Sequence, residues 1–294
     1  MRSYLFVPGD SPRKLEKALG SEADALILDL EDSVSADRKV EARRCVRDFL
    51  DAARSTDGIR PGLIVRVNSF ASGFLEDDLD GVMAGRPDAI LLPKCESGAD
   101  VQHLAALLNV HEADCGLAQS VTAIHALITE TALGVLNAAS YKSKSERLLS
   151  LSWGAEDLSA DIGSYRNRCK DGGYTDLFRL ARSLTLLGAT AAGVDAVDAV
   201  FTDLGDMGAL EEECRAAAED GFSGKMAVHP RQVPIINRAF TPSAESVARA
   251  REIVALFREA GPEAGVLSHD GRMIDRPHLR LAERILKRAR DPQA

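Results

Sequence analysis

None of the five cysteines, Cys45, Cys95, Cys115, Cys169 and Cys214, belongs to a C-x-x-C pair, and they are scattered along the chain. A disulfide framework or a zinc site is therefore not expected, and reduced thiols in a cytoplasmic protein fit best. No run of about 18 apolar residues occurs, so no membrane span is expected. The opening stretch Met1-Arg2-Ser3-Tyr4-Leu5-Phe6-Val7-Pro8-Gly9-Asp10 breaks after a few apolar residues, too soon for a signal-peptide core. Positive charge is not in excess: 36 Lys and Arg face 45 Asp and Glu, a net charge of −9. That balance argues against nucleic-acid binding through bulk electrostatics, although it leaves room for a local basic pocket. The G-x-G-x-x-G of a dinucleotide-binding first turn is also missing, since only Pro8-Gly9-Asp10 follows the first apolar run.

What the chain does have is a rhythm. Short apolar runs recur at 4–7, 25–30, 63–67, 89–92, 124–128, 148–151, 196–201 and 225–228. They are near-continuous rather than alternating, as strands buried on both faces are. Helix-period segments lie between them at 12–19, 38–53, 98–109, 134–139, 175–187 and 207–219. Asp10-Ser11-Pro12 supplies a cap followed by a first-turn proline. Eight strand candidates alternating with helices predict a (β/α)8 barrel rather than a doubly wound sheet. The 294 residues exceed the roughly 250 such a barrel needs. The surplus, 241–294, holds a helical stretch at 244–260, a Gly/Pro loop, a hairpin around Asp270-Gly271 and a basic helix from about 277 to 290. The division expected is a catalytic barrel at 1–240 and a C-terminal helical and hairpin lid at 241–294, which alternatively packs on its own barrel.

Barrel chemistry sits where strands end. Those ends carry Asp29-Leu30-Glu31-Asp32, then Arg66 and Asn68, Pro93-Lys94, Glu130, Glu156-Asp157 and His229-Pro230. Several carboxylates on one rim repel one another unless a cation neutralises them. Mg²⁺ takes few carboxylates and several waters, leaving positions for substrate oxygens. Glu130 and Asp157 fit two direct ligands, with Glu31 and Asp32 behind its waters. Arg66 within an apolar strand needs an anionic partner, such as a substrate carboxylate or a thioester oxygen gaining charge. Taken singly, each has a plainer reading. Glu130 fits a helix start favoured by the dipole, and Asp157 a helix N-cap. Arg66 fits a structural ion pair with Glu31 or Asp32, and His229 a satisfied loop histidine.

The motifs also carry a resemblance. Arg2 to Asp10 (RSYLFVPGD), Leu28 to Val34 (LDLEDSV), Arg66-Val67-Asn68, Leu92-Pro93-Lys94, Glu130-Thr131, Gly154 to Asp161 (GAEDLSAD), Ala227 to Pro230 (AVHP) and Asp270 to Pro277 (DGRMIDRP) span nearly the whole chain in order. In this the chain resembles the family of the citrate lyase β subunit and the malyl-CoA and citramalyl-CoA lyases, within the HpcH/HpaI aldolases. The resemblance implies a TIM barrel with a C-terminal lid, assembled as a homotrimer or hexamer in which the lid is exchanged between subunits. It implies that Glu130 and Asp157 ligate Mg²⁺, that Arg66 binds substrate oxygens, and that Glu31 and Asp32 sit near the metal waters. It implies that Asp275, in a neighbouring subunit's site, is the acid/base on the acetyl carbon.

The activity so implied is cleavage of a 3-hydroxy-carboxyacyl-CoA to acetyl-CoA and a small oxo acid, glyoxylate or pyruvate. Backbone amides at Gly154, Ala155, Glu156 and Asp157 would bind the oxo-acid carboxylate. Arg13, Lys14 and Lys17 stand near the rim for the phosphates of the thioester, or form only a solvated face. Four other functions stay open. They are the β subunit of a multi-subunit citrate lyase, a malyl-CoA thioesterase, a non-catalytic acyl-CoA-binding subunit, and a pyruvate-type aldolase on free hydroxy-keto acids. One methyl separates malyl from citramalyl, and an apolar pocket distinguishes a methylene by only about 1–3 kcal/mol.

Overall fold

Eight short parallel strands close on one another in sequence order. In the computed structural model, which describes residues 1–55, 60–269 and 272–290, they are β1 (Ser3–Pro8), β2 (Ala25–Asp29), β3 (Gly62–Arg66), β4 (Ala89–Leu92), β5 (Ala123–Leu127), β6 (Leu148–Ser152), β7 (Asp195–Asp198) and β8 (Gly224–Ala227). Closure comes from β1 pairing with β8, Tyr4 opposite Met226. The expected eight-strand barrel is therefore present, with each strand within three residues of its apolar run. Every residue of β2 is buried, as an apolar run covered on both faces requires.

Helices α1 (Pro12–Leu19), α2 (Lys39–Arg54), α3 (Leu75–Val82), α4 (Gly98–Asp114), α5 (Ala132–Leu136), α6 (Ala155–Ile162), α7 (Asp176–Ala192) and α8 (Met207–Asp220) follow the strands, and α9 (Val233–Phe240) follows β8. Their starts are chemically marked. Ser97 and Asp100 form a capping box on α4, and the Thr131 hydroxyl accepts from the Gly134 N–H on α5. Helices α3, α6 and α9 were not among the sequence-expected helices. Each is eight residues long, so its apolar period repeats barely twice and is hard to separate from a loop.

Inward-facing Tyr4, Ala25, Ile27, Ile64, Ala89, Leu91, Leu127, Val197 and Met226 fill the barrel. His125 is packed edge-on against Tyr4, with ring centroids 5.6 Å apart. Burial pushes its imidazole down to about 3, so it is a neutral core group near pH 7.

A buried charge network ties β7, β8 and α8 together. The Lys225 ammonium lies 2.9 Å from Asp198 and 2.8 Å from Glu213. Asp198 also accepts from Trp153 Nε1 at 2.7 Å and Arg182 Nε at 3.1 Å. Burial would raise the Asp198 carboxyl, but Lys225 and Arg182 hold it below its ordinary value. A carboxylate with a depressed folded value stabilises fully above the ordinary value near 3.9 and loses this effect as pH falls through the folded one. Asp198→Asn is expected to cost about 2–3 kcal/mol at neutral pH, because Glu213 still pairs with Lys225. Urea unfolding should show the gap from wild type narrowing below about pH 3.9. A gap constant with pH would rule out this origin.

The chain divides into two compact units, Met1–Asn237 and Arg238–Ala294. The second holds α10 (Ala244–Ala260), an antiparallel pair β9 (Val266–His269) and β10 (Arg272–Asp275), and α11 (Arg276–Arg290). Ala250, Ile253, Phe257, Ile274 and Ala282 form its apolar core. The expected Asp270-Gly271 turn lies outside the described residues. Among the described residues, no helix is long and apolar enough to cross a membrane.

Candidate active site at the strand ends

Arg66 closes β3 and turns back to Asp29, the last residue of β2. Its Nε and Nη2 donate to the two Asp29 oxygens at 2.6 and 2.7 Å. Strand register explains the pairing, since Asp29 and Arg66 are direct neighbours. Burial alone would raise the Asp29 carboxyl, but the guanidinium holds it below its ordinary value. The N–H groups of Glu31 and Ser33 also donate to Asp29. Arg66 Nη1 lies 2.9 Å from Glu31 Oε2. Two of its five N–H donors are held by Asp29 and Nη1 faces Glu31, while the residue also lines the cavity at the strand ends.

Glu31 is buried, and its Oε2 has no aligned hydrogen-bond partner. Burial raises its pKa, against the opposing charges of Arg66 and Lys94. The β2–α2 turn that carries it is fixed from behind. Lys39 Nζ donates to the carbonyls of Leu30 and Glu31 at 2.6 and 2.7 Å and to Asn68 Oδ1 at 2.9 Å.

Glu130 follows β5 and is 2% exposed. Its Oε2 accepts from the Lys94 backbone N–H at 2.6 Å. Burial, then the charges of Asp157 and Glu31, raise its carboxyl well above the ordinary range. Gly154 leaves room beside it, since a β-carbon there would lie 3.0 Å from both Cγ and Oε1 of Glu130 and press on that side chain. Asp157 stands in the first turn of α6, whose N-cap is Gly154, so Asp157 does not cap that helix. Lys94 Nζ lies 3.1 Å from Asp157 Oδ1 and 3.6 Å from Asp32 Oδ2, and it donates to Glu31 Oε1.

Asp29, Asp32, Arg66, Glu130, Trp153, Gly154, Ala155, Glu156 and Asp157 line one cavity of about 360 Å³. Phe6, Leu127, Val200, Met226 and Val228 supply its apolar wall. The sequence-expected Asp32, Arg66, Glu130, Gly154, Ala155, Glu156 and Asp157 are thus gathered in one place, while Asn68 is bound to Lys39 and Asp78 instead. Glu31 joins them through Arg66 and Lys94. Asp275 belongs to the second unit, at the end of β10, where its Oδ1 lies 2.6 Å from His278 Nδ1. His229 is a capping residue, its Nδ1 accepting from the Arg231 N–H at 3.1 Å. Arg13, Lys14 and Lys17 are exposed on α1.

Asp29 as the main partner of Arg66 escaped the sequence, although both residues stand at neighbouring strand ends. Lys94 was legible as a rim cation among the carboxylates, but its particular contacts with Glu31 and Asp157 were not. Its left-handed backbone, φ 48°, is rare for a side-chain-bearing residue.

Among the described residues, no group of three or more His, Cys, Asp or Glu is arranged to hold a metal ion. The Glu130 and Asp157 oxygens still fit a hard cation that keeps waters and takes substrate oxygens. The buried Glu31 Oε2, which accepts no aligned hydrogen bond, and the room beside Glu130 at Gly154 agree with that fit.

Comparison with known proteins supports the same picture. The family model described as HpcH/HpaI aldolase/citrate lyase matches residues 2–230. The chain is 37% identical over 287 residues to a citrate lyase subunit beta-like protein of Mycobacterium tuberculosis, covering 97% of this chain and 94% of that one. It is 36% identical over 289 residues to a (3S)-malyl-CoA thioesterase of Cereibacter sphaeroides, covering 98% and 94%. It is 32% identical over 302 residues to the mitochondrial citramalyl-CoA lyase of Rattus norvegicus, covering 97% and 85%. A solved structure of CitE from Mycobacterium tuberculosis, in complex with magnesium, acetoacetate and coenzyme A, matches with a TM-score of 0.79 at 36% identity, covering 99% of this chain and 98% of that one. With its closed eight-stranded barrel, its carboxylate rim and these matches over nearly its full length, the chain belongs to the HpcH/HpaI aldolase/citrate lyase family.

Proposed function

We propose that the chain is a Mg²⁺-dependent carbon–carbon lyase acting on a 3-hydroxy-carboxyacyl-CoA of the malyl-CoA or citramalyl-CoA type, releasing acetyl-CoA and glyoxylate or pyruvate. One observation carries the reading. Glu130 and Asp157, from successive strand ends, line one cavity together with Arg66. The similarity to a citramalyl-CoA lyase and to a magnesium, acetoacetate and coenzyme A complex supports it.

Held by Glu130 and Asp157, Mg²⁺ would supply Lewis-acid polarisation of the substrate's hydroxyl and carboxylate oxygens. The chain's own groups do the rest. The N–H groups at the start of α6, from Ala155 to Asp157, orient the oxo-acid carboxylate. Arg66 faces the thioester oxygen, where negative charge grows as the C–C bond breaks and its electron pair becomes the enolate. The hydroxyl proton passes to solvent water at the open cavity mouth as the C–O bond becomes the C=O of the oxo acid. The enolate carbon then takes a proton from Asp275, supplied by the second unit of a neighbouring copy in a homotrimer or hexamer. Residues 241–294 thus serve as an exchanged lid. Asp32 is exposed at the rim and Glu31 is paired behind it, so both act on the surroundings of the cation.

A second reading is a malyl-CoA thioesterase, favoured by the 36% identity to one. Product analysis separates the two. Malyl-CoA and citramalyl-CoA are incubated with purified protein and Mg²⁺, then with EDTA. The lyase reading expects acetyl-CoA with glyoxylate or pyruvate, lost on chelation and lost in Asp275→Ala. Free malate without glyoxylate would instead establish the thioesterase. Neither product from either thioester would sink both readings.

A further inference from the structure

The centre of the carboxylate cluster holds a side chain. Lys94 Nζ donates to Glu31 Oε1, and lies 3.1 Å from Asp157 Oδ1 and 3.6 Å from Asp32 Oδ2. The same residue reaches Glu130 by a different route, through its backbone N–H at 2.6 Å. Both contacts are made from a left-handed backbone at Lys94, φ 48°, which L side chains disfavour. One strained residue thus touches both carboxylates assigned to the cation, one with its main chain and one with its ammonium.

We infer that Lys94 is a resident cation of the metal-free site, ordering Asp157 and Glu31 until a divalent cation displaces its ammonium. This rests on the metal reading above. The physical reason is exclusion. An ammonium and a dication cannot both lie within bonding distance of the Asp157 carboxylate without strong repulsion. The lysine side chain is flexible and 31% exposed, so it has a path toward solvent. The bond to Glu130 comes from the main chain and survives when the side chain leaves. Metal binding is then an exchange of one cation for another, and part of its free energy goes to evicting Lys94.

The test is calorimetric titration of Mn²⁺ into metal-stripped full-length protein without substrate. Wild type should bind, while Lys94→Met and Lys94→Gly should bind about tenfold more tightly, or about 1.4 kcal/mol. Lys94→Arg, which keeps the charge, should not bind more tightly than wild type. Glycine is the control for folding, since it keeps the N–H to Glu130 and tolerates the left-handed backbone. The metal-free melting temperature should fall in Lys94→Met, while the rise caused by Mn²⁺ should grow. General structural damage would weaken metal binding rather than tighten it. Equal or weaker Mn²⁺ binding by both neutral variants, with wild type binding, overturns the inference alone. No Mn²⁺ binding by wild type overturns the metal reading as well.

Discussion

Glu130→Gln is expected to lower metal-dependent cleavage by about 10²–10³-fold while leaving the fold intact. The estimate is the kinetic equivalent of the several kcal/mol a Lewis acid contributes to the transition state. Glutamine keeps the shape and keeps an acceptor for the Lys94 N–H, which now lies 2.6 Å from Glu130 Oε2. It removes the charge, and with it the anionic oxygen proposed to hold Mg²⁺. Stability should move the other way. Burial and the charges of Asp157 and Glu31 disfavour the ionised Glu130 in the absence of a cation. The neutral amide lacks that penalty, so metal-free Glu130→Gln should melt no lower than wild type. Asp157→Asn should lose activity alike. Steady-state rates across a Mg²⁺ titration, with thermal melts on the stripped protein, check both halves. Full activity at low Mg²⁺ in either variant would remove these residues from the metal site.

Arg66→Met is expected to damage both stability and rate. The Asp29 carboxylate is almost fully buried and, among the described residues, keeps neutral donors from Glu31 and Ser33 but no cation bonded to it once the guanidinium is gone. Stranding a buried charge costs about 3–5 kcal/mol. The pH dependence identifies the cause. In wild type the Asp29 carboxyl lies below its ordinary value because of Arg66. Its contribution is therefore present above the ordinary value near 3.9 and fades below it. Without Arg66 burial dominates and the folded value rises, so the variant gains relative to wild type as pH falls. Denaturant unfolding at pH 7 and pH 4.5 should show the difference shrinking. The rate should fall about 10²–10³-fold, the usual cost of one missing donor to a developing oxyanion. Arg66→Lys restores charge but cannot span both Asp29 oxygens, so it should recover stability more than rate. Unchanged stability in Arg66→Met would refute the pairing.

Much of the barrel was legible because its strands are buried on both faces and read as continuous apolar runs. The rim was legible for a related reason. Glu130, Asp157, Arg66 and Glu31 are charged residues where such runs stop, and charge is conspicuous there. The short helices α3, α6 and α9 were not legible, since eight residues hold too few repeats of a 3.6-residue period. The pairing of Arg66 was only half legible. A buried arginine demands an anion, and the sequence offered Glu31 or Asp32. The strand register set Asp29 beside it instead, with Glu31 second and Asp32 out at the Lys94 side.

The sequence by itself determined which residue types stand at the strand ends, because hydrophobic periodicity dictates where each strand begins and stops. The tertiary structure alone decided which of their atoms meet. Closing eight strands brings Glu130 and Asp157 into one cavity with Arg66, and local backbone geometry swings Lys94 into their midst. Contacts of that kind depend on strand register and on one unusual φ angle, and residue order along a chain does not encode the distance between side chains tens of positions apart.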